Sequence, residues 1–188
     1  MKTRQPRKGF TLTELLVVVV LLSVLATLAL PPARKLVLDH RIWTLQHRLH
    51  ASLNLARNSA LHSGSPVVVC ATDGNGACDG GSTDWNHGWM VFEDPAWLGA
   101  CRPDATGNRC RDGQGRILRI QAPVDGFRIV TNRNVSRRVR FNPRGMSYGY
   151  TGRFTFCDTN GDGFQRGLVV PNTGRIRTAN ETELLPCQ

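Results

Sequence analysis

The chain has 188 residues and carries 24 Lys and Arg against 14 Asp and Glu, a formal net charge of +10. That length holds one membrane segment and one domain of ordinary size, and not a larger assembly of domains. Six cysteines occur, but none shows the close C-x-x-C spacing of a zinc knuckle, which argues against structural zinc. Only Lys2, Lys8 and Lys35 are lysines, so arginine dominates the basic residues. A guanidinium meets phosphate or carboxylate through a two-pronged fork, where lysine acts as a point charge.

Residues 1–9 contain Lys2, Arg4, Arg7 and Lys8 and no acid. This end is expected to stay on the cytoplasmic side. An apolar run follows from Phe10 to Leu30, interrupted by Glu14, Ser23 and Thr27. As a helix it would reach about 31 Å, close to the roughly 30 Å hydrocarbon core of a bilayer. A lone carboxylate there costs on the order of 3 kcal/mol, so Glu14 needs a partner. Cutting after the small residue Gly9 would remove the basic leader and free an ammonium on Phe10. That charge could pair with Glu14 in the same helix or a neighbour and set the register of packed helices.

"KGFTLTELLVVVVLLSVLATLALP" resembles the type IV pilin signature. The resemblance implies cleavage by a prepilin peptidase after Gly9, methylation of Phe10, and assembly with other pilins through Glu14 and the apolar helix. It also implies a single-pass inner-membrane protein with a periplasmic domain, which becomes part of an extracellular pilus. The fold it implies is α+β, a long N-terminal helix packed against antiparallel sheet. Four segments are expected: leader 1–9, transmembrane or filament-core helix 10–32, amphipathic helix 33–63, and β-rich domain 64–188. Pro31 and Pro32 predict a kink or local melting near 29–32.

Beyond the prolines, Leu38, Ile42, Leu45, Leu49, Leu53, Ala56 and Ala60 recur at helical spacing. Arg34, Arg41, Gln46, Arg48 and Arg57 occupy the other faces. His47 and His50 are read as surface residues rather than metal ligands. Ser63-Gly64-Ser65-Pro66 stops the helix. Short β-like segments follow at 67–71, 89–92, 116–121, 127–131, 138–141, 154–157 and 167–170, with a last one at 175–178. "DWNHGWMVFED" resembles the Trp-bearing block of the FimT/GspH branch of pilins and pseudopilins, and Trp85 and Trp89 are read as core anchors.

The cysteines all lie after the apolar run, which points to disulfides in an oxidising compartment. Six cysteines allow 15 pairings. The preferred set is Cys70–Cys78 and Cys101–Cys110, which close short loops, with Cys157–Cys187 tethering the tail. Between the last two lies "CDTNGDGFQRG", where Asp158, Asn160 and Asp162 match the first half of an EF-hand loop. The twelfth position is Val169 instead of Glu, so a plain turn is the preferred reading, with calcium at Asp158, Asn160 and Asp162 as the alternative, and no cofactor is expected.

The charge is unevenly placed. Residues 102–153 hold 12 cations and 3 acids, and no acid falls between Asp125 and Asp158. Arg133, Arg137, Arg138, Arg140 and Arg144 form the densest part. Such a segment is the electrostatic footprint of a polyanion-binding surface, although a solvated strand edge would look the same. In "NTGRIRTA", Gly174 permits a turn and Arg175 and Arg177 alternate around Ile176. Spaced about 7 Å apart on an extended chain, they would match successive phosphates of one DNA strand. This Gly-Arg-x-Arg pattern resembles the C-terminal signature of FimT-type minor pilins, which implies binding of extracellular DNA in natural transformation. The alternative is a structural minor pilin or a type II secretion pseudopilin without DNA binding. No catalytic motif is present, so an enzyme is not expected.

Overall fold

The computed structural model describes residues 9–79, 81–111, 115–159 and 165–187, with the side chains of 27–34 also outside the description. The chain divides into two compact units, Met1–Leu38 and Asp39–Gln188. Helix α1, Leu12–Ser63, contributes to both.

In the first unit α1 leaves Leu12, Leu15 to Leu22, Val24 and Leu25 exposed. Among the described residues no helix is long and apolar enough to cross a membrane. The span expected at 10–32 runs into residues 27–32, whose side chains lie outside the description. The helix starts on a capping box. The Thr11 amide and hydroxyl donate to Glu14 Oε2 at 2.9 and 2.8 Å, and the Glu14 amide donates to Thr11 Oγ1 at 3.3 Å. With residues 1–9 attached Phe10 has no free amine, and Glu14 is satisfied by its own helix terminus instead. The melting expected at 29–32 is not seen: α1 is helical throughout. Each proline removes a single backbone bond, and the bonds on either side carry the helix on.

In the second unit α1 lays Ile42, Leu45, Leu49, Leu53, Ala56 and Ala60 into the core. Gln46 belongs to this buried face, contrary to its expected place outside. Its amide donates to the Gly167 carbonyl at 2.8 Å, which offsets the cost of burial. The helix closes where the Gly64 amide donates to the Ala60 carbonyl at 3.1 Å.

Two four-stranded antiparallel sheets complete the unit. The first, in spatial order β3-β2-β1-β5, uses Val67–Ala71 (β1), Trp89–Glu93 (β2), Ile117–Gln121 (β3) and Arg138–Phe141 (β5). The second, β4-β6-β7-β8, uses Phe127–Thr131 (β4), Gly152–Asp158 (β6), Gln165–Val170 (β7) and Arg177–Thr178 (β8). The central strand β1 is buried on both faces. Val67, Val69 and Ala71 enter the main core with α1, while Val68 and Cys70 join a second cluster with Cys78, Met90, Phe92, Cys101 and Cys110.

Trp85 and Trp89 are fully buried. Their indole N–H groups donate to the Ser136 carbonyl and to Ser52 Oγ, each at 2.9 Å. The disulfides join Cys70 to Cys78, Cys101 to Cys110 and Cys157 to Cys187.

Candidate nucleic-acid interface

Two chain segments meet at the basic end of the second sheet. Residues 142–151 form an irregular loop after β5, and 171–174 form a turn after β7. The Ser147 amide donates to the Asn172 carbonyl at 3.0 Å and its hydroxyl to the Pro171 carbonyl at 2.7 Å. Thr151 and Asn172 join through their side chains. Gly174 closes its turn by donating to the Pro171 carbonyl at 2.9 Å, with φ +71°. A Cβ at this position would run into the Gly145 carbonyl oxygen, which also accepts from Arg57 Nε at 3.2 Å. Gly174 is therefore a packing requirement. Its consequence is that Arg144 and Arg175, far apart in sequence, sit on adjoining turns. Both are exposed, and neither has an acidic partner among the described residues.

Arg175 does not lie in a strand. The extended segment expected at 175–178 shrinks to Arg177–Thr178, because the Gly174 turn occupies its first half. Arg177 is exposed but paired: its guanidinium donates to both Glu183 carboxylate oxygens, at 2.5 and 2.7 Å. That bond lowers the Glu183 carboxyl to about 2, aided by the Asn180 amide, and raises the Arg177 guanidinium above its ordinary value. The two arginines of the Gly-Arg-x-Arg pattern are thus unequal, one unpaired and one neutralised.

Strand β5 turns Val139 and Phe141 inward and Arg138 and Arg140 outward, but these two arginines are engaged by the segment after β2. Arg140 donates to Asp94 Oδ2 at 2.9 Å and to the Trp97 carbonyl at 3.2 Å, and its guanidinium lies 5.1 Å from the Trp97 ring centroid. Arg138 donates to the Gly99 carbonyl at 2.5 Å. Buried Asp94 also accepts from the Leu98 and Gly99 amides at 2.8 Å each. Within a segment that holds no acid in sequence, Arg140 is therefore compensated in space. Arg166 likewise is held by Asp39, with its closest contact at 2.8 Å.

Arg133 opens and Arg137 follows a 3₁₀ turn, Arg133–Val135, pinned by buried Val135. Both are exposed with no acidic partner among the described residues. With Thr83, Asn134, Ser136, Arg138 and Tyr150 they line an open cleft of about 440 Å³.

Asn160 and Asp162 of the EF-hand-like segment lie outside the described residues, and Asp158 is the last residue of β6. Among the described residues no group of three or more His, Cys, Asp and Glu could hold a metal. His47 packs on Trp43 with ring centroids 3.9 Å apart, and His50 Nε2 lies 3.2 Å from the Asn54 amide nitrogen. Sequence reasoning missed Asp94 and Trp97. The run of Asp-Pro-Ala-Trp-Leu-Gly was a turn signal, and nothing in it pointed to β5.

The model of the type II transport protein GspH family matches residues 46–174, about two thirds of the chain. The chain belongs to the GspH family. Residues 4–30 of this GspH-family protein match the prokaryotic N-terminal methylation motif. Its fold is shared with the type IV minor pilin FimU of Pseudomonas aeruginosa PAO1, seen in two crystal forms. The first has a TM-score of 0.51 at 19% identity over 76% of this chain and 91% of the other. The second has 0.51 at 18% identity, over 74% and 94%. The minor pseudopilin EpsH of the Vibrio cholerae type 2 secretion system, with a TM-score of 0.42 at 11% identity over 74% and 93%, is too distant to carry an argument. No curated protein matches the sequence.

Proposed function

We propose that this GspH-family protein is a minor pilin that binds the phosphate backbone of extracellular DNA and supports its uptake in natural transformation. In this reading a prepilin peptidase cuts after Gly9, the Phe10 amine is methylated, and the apolar part of α1 anchors the chain in the inner membrane before it joins other pilins. Once the amine of Phe10 is free, Glu14 exchanges its capping contacts for an ion pair with that amine or a neighbour's. The observation that carries DNA binding is the set of exposed arginines without an acidic partner among the described residues. Arg144 and Arg175 share the paired turns, and Arg133 and Arg137 flank the cleft. Arg177, Arg138 and Arg140 are supporting residues here, since each already has a partner. Gly174 acts by holding the turns together.

Binding of this kind is salt-steep and nearly independent of sequence. The test uses the full chain in non-ionic detergent and a mobility shift with duplex DNA at several salt concentrations. Each lost phosphate contact reduces the slope of log affinity against log salt by about 0.9. The Arg144→Gln/Arg175→Gln variant is expected to bind more weakly, with a slope shallower by up to about 1.8. Wild-type affinity and slope in that variant would remove the paired turns from the mechanism.

A second reading, a structural minor pilin or type II secretion pseudopilin without DNA binding, is favoured by the neutralisation of Arg177 by Glu183 and of Arg140 by Asp94. The absence of DNA retention by the wild-type chain at low salt would decide for it.

A further inference from the structure

The basic cleft at Arg133 and Arg137 adjoins a second open groove of about 370 Å³, lined by Trp97, Arg140, Asn142, Met146, Tyr148 and Tyr150. Tyr150 lines both. The lining of neither groove includes an acid, and both volumes fall within the range of small-molecule clefts, about 300–1,000 Å³. The second groove presents aromatic rings where the first presents guanidiniums.

Trp97 is held for display. It is the one non-glycine among the described residues with positive φ, +58°, which is unusual for so bulky a side chain. Asp94 maintains this backbone through its bonds from the Leu98 and Gly99 amides, and the Trp97 amide donates to the Asp94 carbonyl at 3.0 Å. A Cβ on Gly99 would collide with the Arg138 guanidinium, so the loop fits closely over β5. Trp97 remains 54% exposed with Arg140 against its ring, and Tyr148 is 62% exposed. A cation placed against one ring face leaves the other open to a flat, polarisable partner. Exposed aromatics beside unpaired arginines are the two components of a single-strand platform, since any base can stack while the phosphates meet cations.

We propose that the groove of Trp97, Tyr148 and Tyr150 takes unstacked bases of single-stranded DNA, whose phosphates lie against Arg133, Arg137 and Arg138. This rests on the proposed DNA binding and adds that a single strand, or a frayed duplex end, is preferred over closed duplex. Arg140 is not a phosphate ligand in this arrangement. It positions the indole from beneath.

The test measures fluorescence anisotropy with the full chain in non-ionic detergent. The probes are a labelled oligothymidine and a hairpin duplex with the same number of phosphates. The single strand is expected to bind at least about fivefold more tightly. Trp97→Gly keeps the backbone conformation of the loop, because glycine favours positive φ, and removes the ring. Tyr148→Ala removes a second exposed ring at a different loop. Each is expected to weaken oligothymidine binding by at least about fivefold and duplex binding by less than about twofold. Equal affinity for both probes, unchanged in both variants, overturns the groove and leaves backbone binding standing. Variants that keep DNA binding but lose co-purification with another pilin also overturn it, and make the groove a protein contact. Failure of wild type to bind either probe overturns this inference and the DNA-binding function together.

Discussion

Replacing Asp94 by Asn tests whether the basic strand is held by a buried ion pair. The Asp94 side chain is 3% exposed and that of Arg140 16% exposed, so solvent screens their contact only weakly. The carboxylate takes three donors, Arg140 and the Leu98 and Gly99 amides. Asparagine has one carbonyl oxygen and presents an NH₂ where the second acceptor stood. At least one amide then loses its acceptor, and the Arg140 guanidinium loses its countercharge. Breaking one side of a buried pair costs about 3–5 kcal/mol. For a unit of this size that lowers the melting temperature by about 6–20 °C. The assay is urea or thermal unfolding of the full chain in detergent, followed by tryptophan fluorescence. Adding Arg140→Met should recover part of the loss, because the stranded charge is then removed as well. A loss below about 1 kcal/mol for Asp94→Asn, or no recovery in the double variant, would show that the pair is an ordinary surface contact.

Three further outcomes are expected. Glu183→Gln keeps the side-chain oxygen that caps Asn180 but removes the carboxylate charge that neutralises Arg177; a salt titration of duplex binding should then steepen by about 0.9 in slope as Arg177 becomes free. The depressed Glu183 carboxyl contributes stability that is full above about 4.5 and is lost as pH falls toward about 2, so acid titration by NMR should loosen the tail in that window and not near neutrality. Cys157→Ser/Cys187→Ser opens a loop with a sequence separation of 30, and loop entropy puts the loss at about 3.6 kcal/mol in denaturant unfolding, against about 2.5 for Cys70→Ser/Cys78→Ser with a separation of 8.

Much of the architecture was legible from periodicity, because burial imposes it directly. The stripe from Ile42 to Ala60 could meet water only at a cost, and the alternation of Val139 and Phe141 with Arg138 and Arg140 gave one inward face. Turn chemistry around Gly64 and Gly174 punctuated those elements. The Thr11–Glu14 capping box was also present as T-x-x-E, and the apolar run distracted from it.

What the chain order could not express is which charges cancel. Counting acids along residues 125–158 left the basic segment bare, yet Asp94 reaches Arg140 across the sheet, Glu183 folds back on Arg177, and Asp39 on α1 holds Arg166. Fifteen cysteine pairings were open until the fold placed each partner. The amino-acid sequence alone determined the apolar helix, the strand segments and the family to which the chain belongs, since these rest on local spacing. Only the tertiary structure decided which arginines remain available, because Coulombic pairing depends on distance in space and not on position along the chain.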